Sequence, residues 1–351
     1  MANIRGYLSR KKTDVYVFLK KHPFLDALQY VVRNCKNSEI CRDIARRNGL
    51  QLKCFSYGEH NKERNIYYIQ VGKPEFGFFA LFRITLKYLV YAERFGFVPV
   101  IKWSKNISFA ERKAVLGTDN PFEYYFKQPG QISIEEAEES YNVFAAEEVH
   151  ITDFFLNKEI PKGEEGYVMS EEYMEYLARI VKRFIHLNEW TESYLKDQIE
   201  KVVGKRRTIG VHVRGSDFKK GYNNHPAIVS VDDYLDATKS LFEEGDYEQV
   251  FLATDDAGAI KRFQDIFGDK LVFYSDVIRT DGVESVAFSQ SERENHHYLL
   301  GLEVLRDMYS LTFCDGLVAG ISQVSNCARI VKKSYETEYK DKIILNKIVI
   351  K

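Results

Sequence analysis

Apolar residues in this chain fall into two patterns: short unbroken runs, and longer stretches with an apolar position every three or four residues. Ile66-Tyr67-Tyr68-Ile69-Gln70-Val71 is a run of the first kind and ends in Gly72-Lys73-Pro74-Glu75-Phe76-Gly77. The segment from Phe79 to Phe95 is of the second kind, with Leu81, Ile84, Leu86, Leu89 and Val90 at helical spacing, and Val98 to Trp103 is again a run. Strand, glycine turn, helix and strand make a βαβ unit. Residues 1 to about 60 read as helical and basic. From Asp119 to about Glu175 the chain is acidic and aromatic-rich with little periodicity, which predicts irregular connections. Helical spacing returns between Ser170 and Val203, through Tyr173, Leu177, Ile180, Val181, Phe184 and Ile185. It ends at Gly204-Lys205-Arg206-Arg207, the expected boundary between a lobe of residues 1–204 and one of residues 205–351.

The second half is more regular. Thr208 to Val213 is a continuous apolar strand entering a polar loop, and a helix is expected from Val231 to Glu243, opened by Ser230 and Asp232. Gln249 to Ala253 is the next strand and runs into Thr254-Asp255-Asp256. A helix from Ala257 to Phe267 leads to a strand at Lys270–Tyr274, and a longer helix from His297 to Tyr309 leads to Gly316–Ala319. That strand ends in Gly320-Ile321-Ser322-Gln323. Alternating strands and helices predict a parallel, doubly wound α/β sheet.

Length and composition narrow the class. At 351 residues, two domains are the natural expectation. With 45% hydrophobic and 29% charged residues the chain is globular, and a net charge of -1 gives no electrostatic case for nucleic acid. The five cysteines (Cys35, Cys41, Cys54, Cys314 and Cys327) are odd in number without metal-type spacing, which suits a reducing compartment. No signal-like or membrane-spanning apolar run is present, so a cytoplasmic location is expected. The basic residues of the first segment (Arg10, Lys11, Lys12, Lys20, Lys21, Arg42, Arg46 and Arg47) suit either a solvated helical surface or peripheral docking to an anionic membrane or partner.

In a doubly wound sheet ligands bind beyond the carboxyl ends of the strands. Three such ends carry polar clusters here: His212 to Asp217, Thr254 to Asp256, and Gly320 to Gln323. Arg214 is the most informative member, because a planar guanidinium can clamp a diphosphate with two hydrogen bonds and stabilise it as a leaving group. Pairing with Asp217 to tie down the loop is the plainer alternative. His212 shares a strand face with Arg214. Asp255 and Asp256 admit three readings: caps of the following helix, metal ligands, or partners of donor hydroxyls and of Arg214. Ser322 and Gln323 stand at an expected helix N-terminus, an anion-binding arrangement. His296 and His297 are adjacent and point apart on a helix, so they do not form a shared metal site. No Gly-x-Ser-x-Gly elbow, Walker loop, zinc pattern or Gly-x-Gly-x-x-Gly fingerprint occurs.

The ordered set Ile209-Gly-Val-His-Val-Arg214-Gly-Ser-Asp217, Val250-Phe-Leu-Ala-Thr-Asp-Asp256 and Ser322-Gln-Val324 resembles the motifs of the fucosyltransferase superfamily. That group includes the α1,6-fucosyltransferases, the nodulation fucosyltransferases and the protein O-fucosyltransferases. Leu305-Arg-Asp307-Met-Tyr-Ser-Leu311, followed by Cys314 to Val318, matches its helix-then-strand pattern. The likeness is good over about 208 to 332 and faint in the first lobe, where Phe76-Gly77 resembles the glycine-loop opening of these enzymes.

The resemblance implies a GT-B-type fold of two Rossmann-like lobes facing a cleft, and inverting transfer of fucose from GDP-fucose to a glycan acceptor without a required metal or cofactor. It would place Arg214 on the β-phosphate, and His212 and Asp307 on the guanine side. Asp217, Asp255, Asp256, Ser322, Gln323 and Gly77 would complete the donor pocket. Two departures stand out. Gly215 replaces the family's second arginine, leaving Lys219 or Lys220 to compensate, and no acid between Asp217 and Asp232 supplies the α1,6 branch's base. Glu75, in Pro74-Glu75-Phe76-Gly77, is a loose match to the glutamate of the protein O-fucosyl branch and is the candidate base, with an exposed loop acid as the plain alternative. Other readings are a GT-B transferase for another nucleotide sugar, or a non-catalytic nucleotide-sugar-binding protein.

Overall fold

The computed structural model describes residues 52–146, 164–165, 168–214, 229–280 and 286–345, with 22, 24, 25, 28 and 32 near the start. Cys54–Ala145 and Lys158–Lys351 belong to one compact unit; Met1–Lys53 with Ala146–Asn157 belong to another, mostly outside the described residues. The basic positions from Arg10 to Arg47 lie outside them, as do Gly215, Asp217, Lys219 and Lys220. Among the described residues no helix is long and apolar enough to cross a membrane.

The first half builds a four-stranded sheet of order β1-β4-β2-β3. Its strands are β1 (Leu52–Phe55), β2 (Ile66–Val71), β3 (Val98–Trp103) and β4 (Val143–Ala146). Helix α1 (Phe78–Phe95) crosses from β2 to β3 and ends on Gly96, whose φ of 66° is the left-handed cap that glycine adopts without strain. β2 pairs in parallel with both β3 and β4. Two expectations need correction here. Leu52–Phe55 is strand rather than part of a helical first segment, and the stretch expected to be irregular contains β4 and a short helix, α2 (Ile134–Ala137). β4 contributes only three register pairs to β2, too short a run to leave a pattern in the sequence. A two-residue ladder, β5 (Glu164–Glu165) with β6 (Val168–Met169), follows.

The helical spacing read over 170–203 belongs to two helices, α3 (Glu171–Phe184) and α4 (Glu189–Val202). Asn188 explains the break. Its Oδ1 accepts from Thr191 N at 2.8 Å as the cap of α4, while its Nδ2 donates to the carbonyls of Glu123 and Tyr124.

The second half is a five-stranded parallel sheet of order β11-β10-β7-β8-β9. In chain order it contains β7 (Thr208–Val213), α5 (Val231–Glu244), β8 (Gln249–Thr254), α6 (Ala257–Phe267) and β9 (Leu271–Val272). It continues with α7 (His296–Phe313), β10 (Gly316–Gly320), α8 (Gln323–Ser334) and β11 (Asp341–Leu345). The doubly wound expectation holds; β9 is shorter than the strand read at Lys270–Tyr274. β7, β8 and β10 are buried along their whole length, and each fully buried aliphatic side chain there contributes about 1.5–3 kcal/mol.

Helix α3 packs against both α1 and α8. Glu171, in its first turn, accepts hydrogen bonds from Arg329 of α8 and Lys342 of β11. Burial opposes the Glu171 charge, yet Lys342 and Arg329 hold its carboxyl down at about 2. The second sheet is thereby clamped to a helix that precedes it in the chain.

Candidate functional site

The parallel register brings the described part of the three polar clusters to one edge. His212 lies opposite Ala253 of β8 and Ala319 of β10, and Val213 lies opposite Thr254. Adjacent strands are about 4.8 Å apart, so Arg214, Thr254 and Gly320 end neighbouring strands of one carboxyl edge.

His212 is 7% exposed, and its Nδ1 lies 3.2 Å from Ser322 Oγ. Burial, reinforced by the nearby Arg214 charge, pushes its pKa down to about 3. The imidazole is therefore neutral, with one donor and one acceptor, over the whole physiological range. Ser322 caps α8: its Oγ accepts from Ser325 N, and Ser325 Oγ in return accepts from Ser322 N. Ser325 Oγ also donates to Gly320 O at 2.7 Å. The cap leaves the first amides of α8, those of Gln323 and Val324, directed off the helix end beside His212.

Tyr234 of α5 lies at the same edge. It is 2% exposed; burial pushes its phenol up to about 12, against hydrogen bonds from the backbone at Arg214 and Gly320. Its hydroxyl thus lies by the backbone at the ends of β7 and β10. Nothing in the sequence distinguished it, because an aromatic at helical spacing looks like ordinary core. A methyl added at Gly320 would overlap Tyr234 Oη. Gly320→Ala is expected to cost about 1–3 kcal/mol of stability through overpacking. Tyr234→Phe in the same chain should recover part of it; thermal melts of the single and double variants check this, and an unchanged melt for Gly320→Ala would refute it.

Asp256 is the cap of α6, its Oδ1 accepting from Gly258 N at 2.8 Å and Ala259 N at 3.3 Å. Asp255 is half-buried, and its carbonyl accepts from Thr280 N at 3.0 Å. The chain after β9 thereby runs along the end of β8, and it brings Arg279 near Asp307 of α7. Burial raises the Asp307 carboxyl to about 7, against the positive charges of Arg306 and Arg279 and helped by Glu303 and Asp276. Arg306 is itself fixed: its NH1 and NH2 reach Asp276 at 3.0 and 2.6 Å, and its guanidinium lies 3.8 Å from the Tyr274 ring centroid. Asp307 thus stands near Arg279, on the segment that meets the end of β8, whereas His212 contacts Ser322 at the start of α8.

The glycine turn approaches from the first sheet. Gly77 caps α1 with φ −68°, and nothing stands within 4 Å of the position a Cβ would take, so neither conformation nor crowding demands glycine there. Glu75 is exposed on this turn. Phe78 stacks edge-on against Tyr125, whose hydroxyl donates to Tyr298 O of α7 at 2.8 Å. His297 Nδ1 meets Ser108 O at 2.8 Å, and Ser108 Oγ donates to Pro74 O. The turn therefore rests on the first half of α7, nearly three helical turns before Asp307. His296 faces Ser289 and Arg293 instead, so the adjacent histidines diverge.

A second unread residue is Arg83 of α1. It is 8% exposed, and its NH1 donates to Gln323 Oε1 at 2.7 Å. The signal was present: a cation interrupts the apolar stripe of Phe79, Phe82, Leu86 and Leu89. Asp217 lies outside the described residues. Among the described residues no three His, Cys, Asp or Glu side chains are grouped to hold a metal ion.

No protein-family model matches the chain, and no curated protein matches it by sequence. Solved structures that are similar include the NodZ alpha-1,6-fucosyltransferase soaked with GDP-fucose, at 17% identity and TM-score 0.47 over 76% of this chain and 92% of that one. The fucosyltransferase NodZ from Bradyrhizobium gives 17% identity and TM-score 0.45 over 76% and 92%. POFUT1 in complex with GDP-fucose gives 12% identity and TM-score 0.45 over 82% and 99%. What the chain is similar to in structure is a set of fucosyltransferases.

Proposed function

We propose that this protein is an inverting, metal-independent glycosyltransferase that moves fucose from GDP-fucose to a glycan acceptor, with a GT-B arrangement of lobes at 1–204 and 205–351. The observation that carries the reading is the neutral His212 bonded to the Ser322 cap of α8, with Arg214 on the same strand edge. Such an edge offers helix amides and a guanidinium to a diphosphate, and an uncharged imidazole to the rest of the nucleotide. Asp307 would accept from the guanine, with Asp255 beside it toward the donor's hydroxyls.

In the reaction the acceptor oxygen attacks the sugar's anomeric carbon from the face opposite GDP. The bond from that carbon to the β-phosphate oxygen breaks, and GDP leaves as an anion. Arg214 stabilises the negative charge that grows on the leaving diphosphate. Glu75, on the exposed turn before Gly77, is the candidate to take the acceptor's proton.

Calorimetric titration with GDP, UDP and GDP-fucose, with and without magnesium, tests this. GDP is expected to bind at least about tenfold more tightly than UDP, equally well with and without metal. A preference for UDP or an absolute need for magnesium would overturn the assignment. GDP-fucose binding without transfer to any of a broad set of acceptors would point to a binding protein instead.

A further inference from the structure

The resemblance implies two cations beside the diphosphate, and Gly215 stands where the second would be. Arg83 lies in the second turn of α1, six residues after the cap Gly77, and is nearly buried. Its NH1 holds Gln323 Oε1 at 2.7 Å, and Gln323 is the first residue of α8. Cys327, one turn further along α8, is pushed up to about 12 by burial while the Arg83 charge pulls the other way. The guanidinium therefore lies along the first turn of α8, at the positive end of that helix.

Two consequences follow from the contact. With Oε1 engaged, the Gln323 amide has one orientation, and its Nε2 is directed away from Arg83. A buried positive charge also adds to the field where a diphosphate would sit, and burial strengthens it relative to an exposed lysine. Gly77 and Arg83 are about 9 Å apart along one rigid helix at 1.5 Å per residue, so the glycine turn and the α8 terminus are held in register.

We infer that Arg83 is a positioning residue of the donor site, supplying from the first sheet the second cation that Gly215 does not provide. The inference rests on the GDP-fucose reading above. Its chemistry is specific: Arg83 acts on the diphosphate end of the ligand and not on the base.

The test compares GDP with guanosine on the whole protein, by calorimetry and by competition, for wild type, Arg83→Met and Arg83→Lys, with a thermal melt for each. Arg83→Met is expected to weaken GDP by about tenfold or more and to leave guanosine affinity unchanged. Arg83→Lys keeps the charge and loses the fork, so it should recover part of the GDP affinity. A purely structural role would weaken GDP and guanosine together, in step with a lowered melt, and would overturn the inference. So would GDP affinity equal to wild type in a folded Arg83→Met. Gln323→Glu provides a second measurement should Arg83→Met not fold: a carboxylate facing Arg83 should preserve the melt while weakening GDP more than guanosine, and equal effects on both would again count against the role. Failure of wild type to bind GDP at all would instead remove the donor reading itself.

Discussion

Arg214→Ala is expected to lower kcat for transfer from GDP-fucose by about 10²–10³-fold, the usual cost of removing one preorganised group that stabilises a developing anion. The fall in donor affinity should be smaller, because the interaction strengthens as GDP departs. Arg214 stands just past β7, half-buried, while Ile209, Val211 and Val213 carry the strand's packing. The melt should therefore scarcely move. Removing the guanidinium also relieves one of the two influences that depress His212, but burial is the larger, so the imidazole stays neutral. Arg214→Lys should restore only part of the rate, since a point charge cannot make the paired hydrogen bonds of the fork. Full turnover by Arg214→Ala, measured by GDP release with a competent acceptor, would end the donor-site assignment.

The second large effect concerns Asp307. Its carboxyl titrates near 7 because burial outweighs the attraction of Arg306 and Arg279. A guanine presents two adjacent donors on its Watson–Crick edge; the ionised carboxylate accepts from both with charge-assisted bonds, whereas the protonated acid keeps one good acceptor. GDP affinity is therefore expected to rise as pH rises through about 7 and then level off. Below 7 it should fall by up to about tenfold per pH unit, the limit for one coupled deprotonation. Asp307→Asn should lose about 10²-fold in affinity and flatten the profile.

The stability linkage has the opposite sense. An unfolded aspartate titrates near 3.9, so the folded state holds an extra proton between about 4 and 7, and stability falls as pH rises through that window. Asp307→Asn should accordingly raise the melting temperature at pH 8 and leave it little changed at pH 4. A pH-independent GDP affinity, or an Asn variant less stable at pH 8, would contradict this account.

The readability of the chain followed burial. β7, β8 and β10 are central and parallel, so their sequences are unbroken apolar runs. α6 was legible to the residue, because Asp256 caps it and its periodicity is clean. β11 is an edge strand of half-buried residues, and β4 pairs over three positions, so neither leaves a clear run. Ser170 to Val203 kept helical spacing through a break that only Asn188 announces.

Site residues divided in the same way. The candidates His212, Ser322 and Asp256 stood out in the sequence because polar residues at the ends of apolar strands are out of place unless something uses them. Tyr234 escaped notice because its ring belongs to the core and only its hydroxyl serves the edge. Arg83 shows in the sequence only as a cation in the apolar stripe of α1, and its partner is 240 positions away. No local pattern encodes a contact between α1 and α8.

That long-range contact bears on how the protein could be rebuilt. Helix α1 begins at the glycine turn and, two turns later, grips the first residue of α8. The turn cannot then be treated as an exchangeable loop. A chimera that imports the turn from another enzyme, to change which acceptor is taken, must import the helix with it or leave a foreign lever on the native anion site. Under the donor-site reading proposed above, acceptor choice and donor grip would be inherited as one piece.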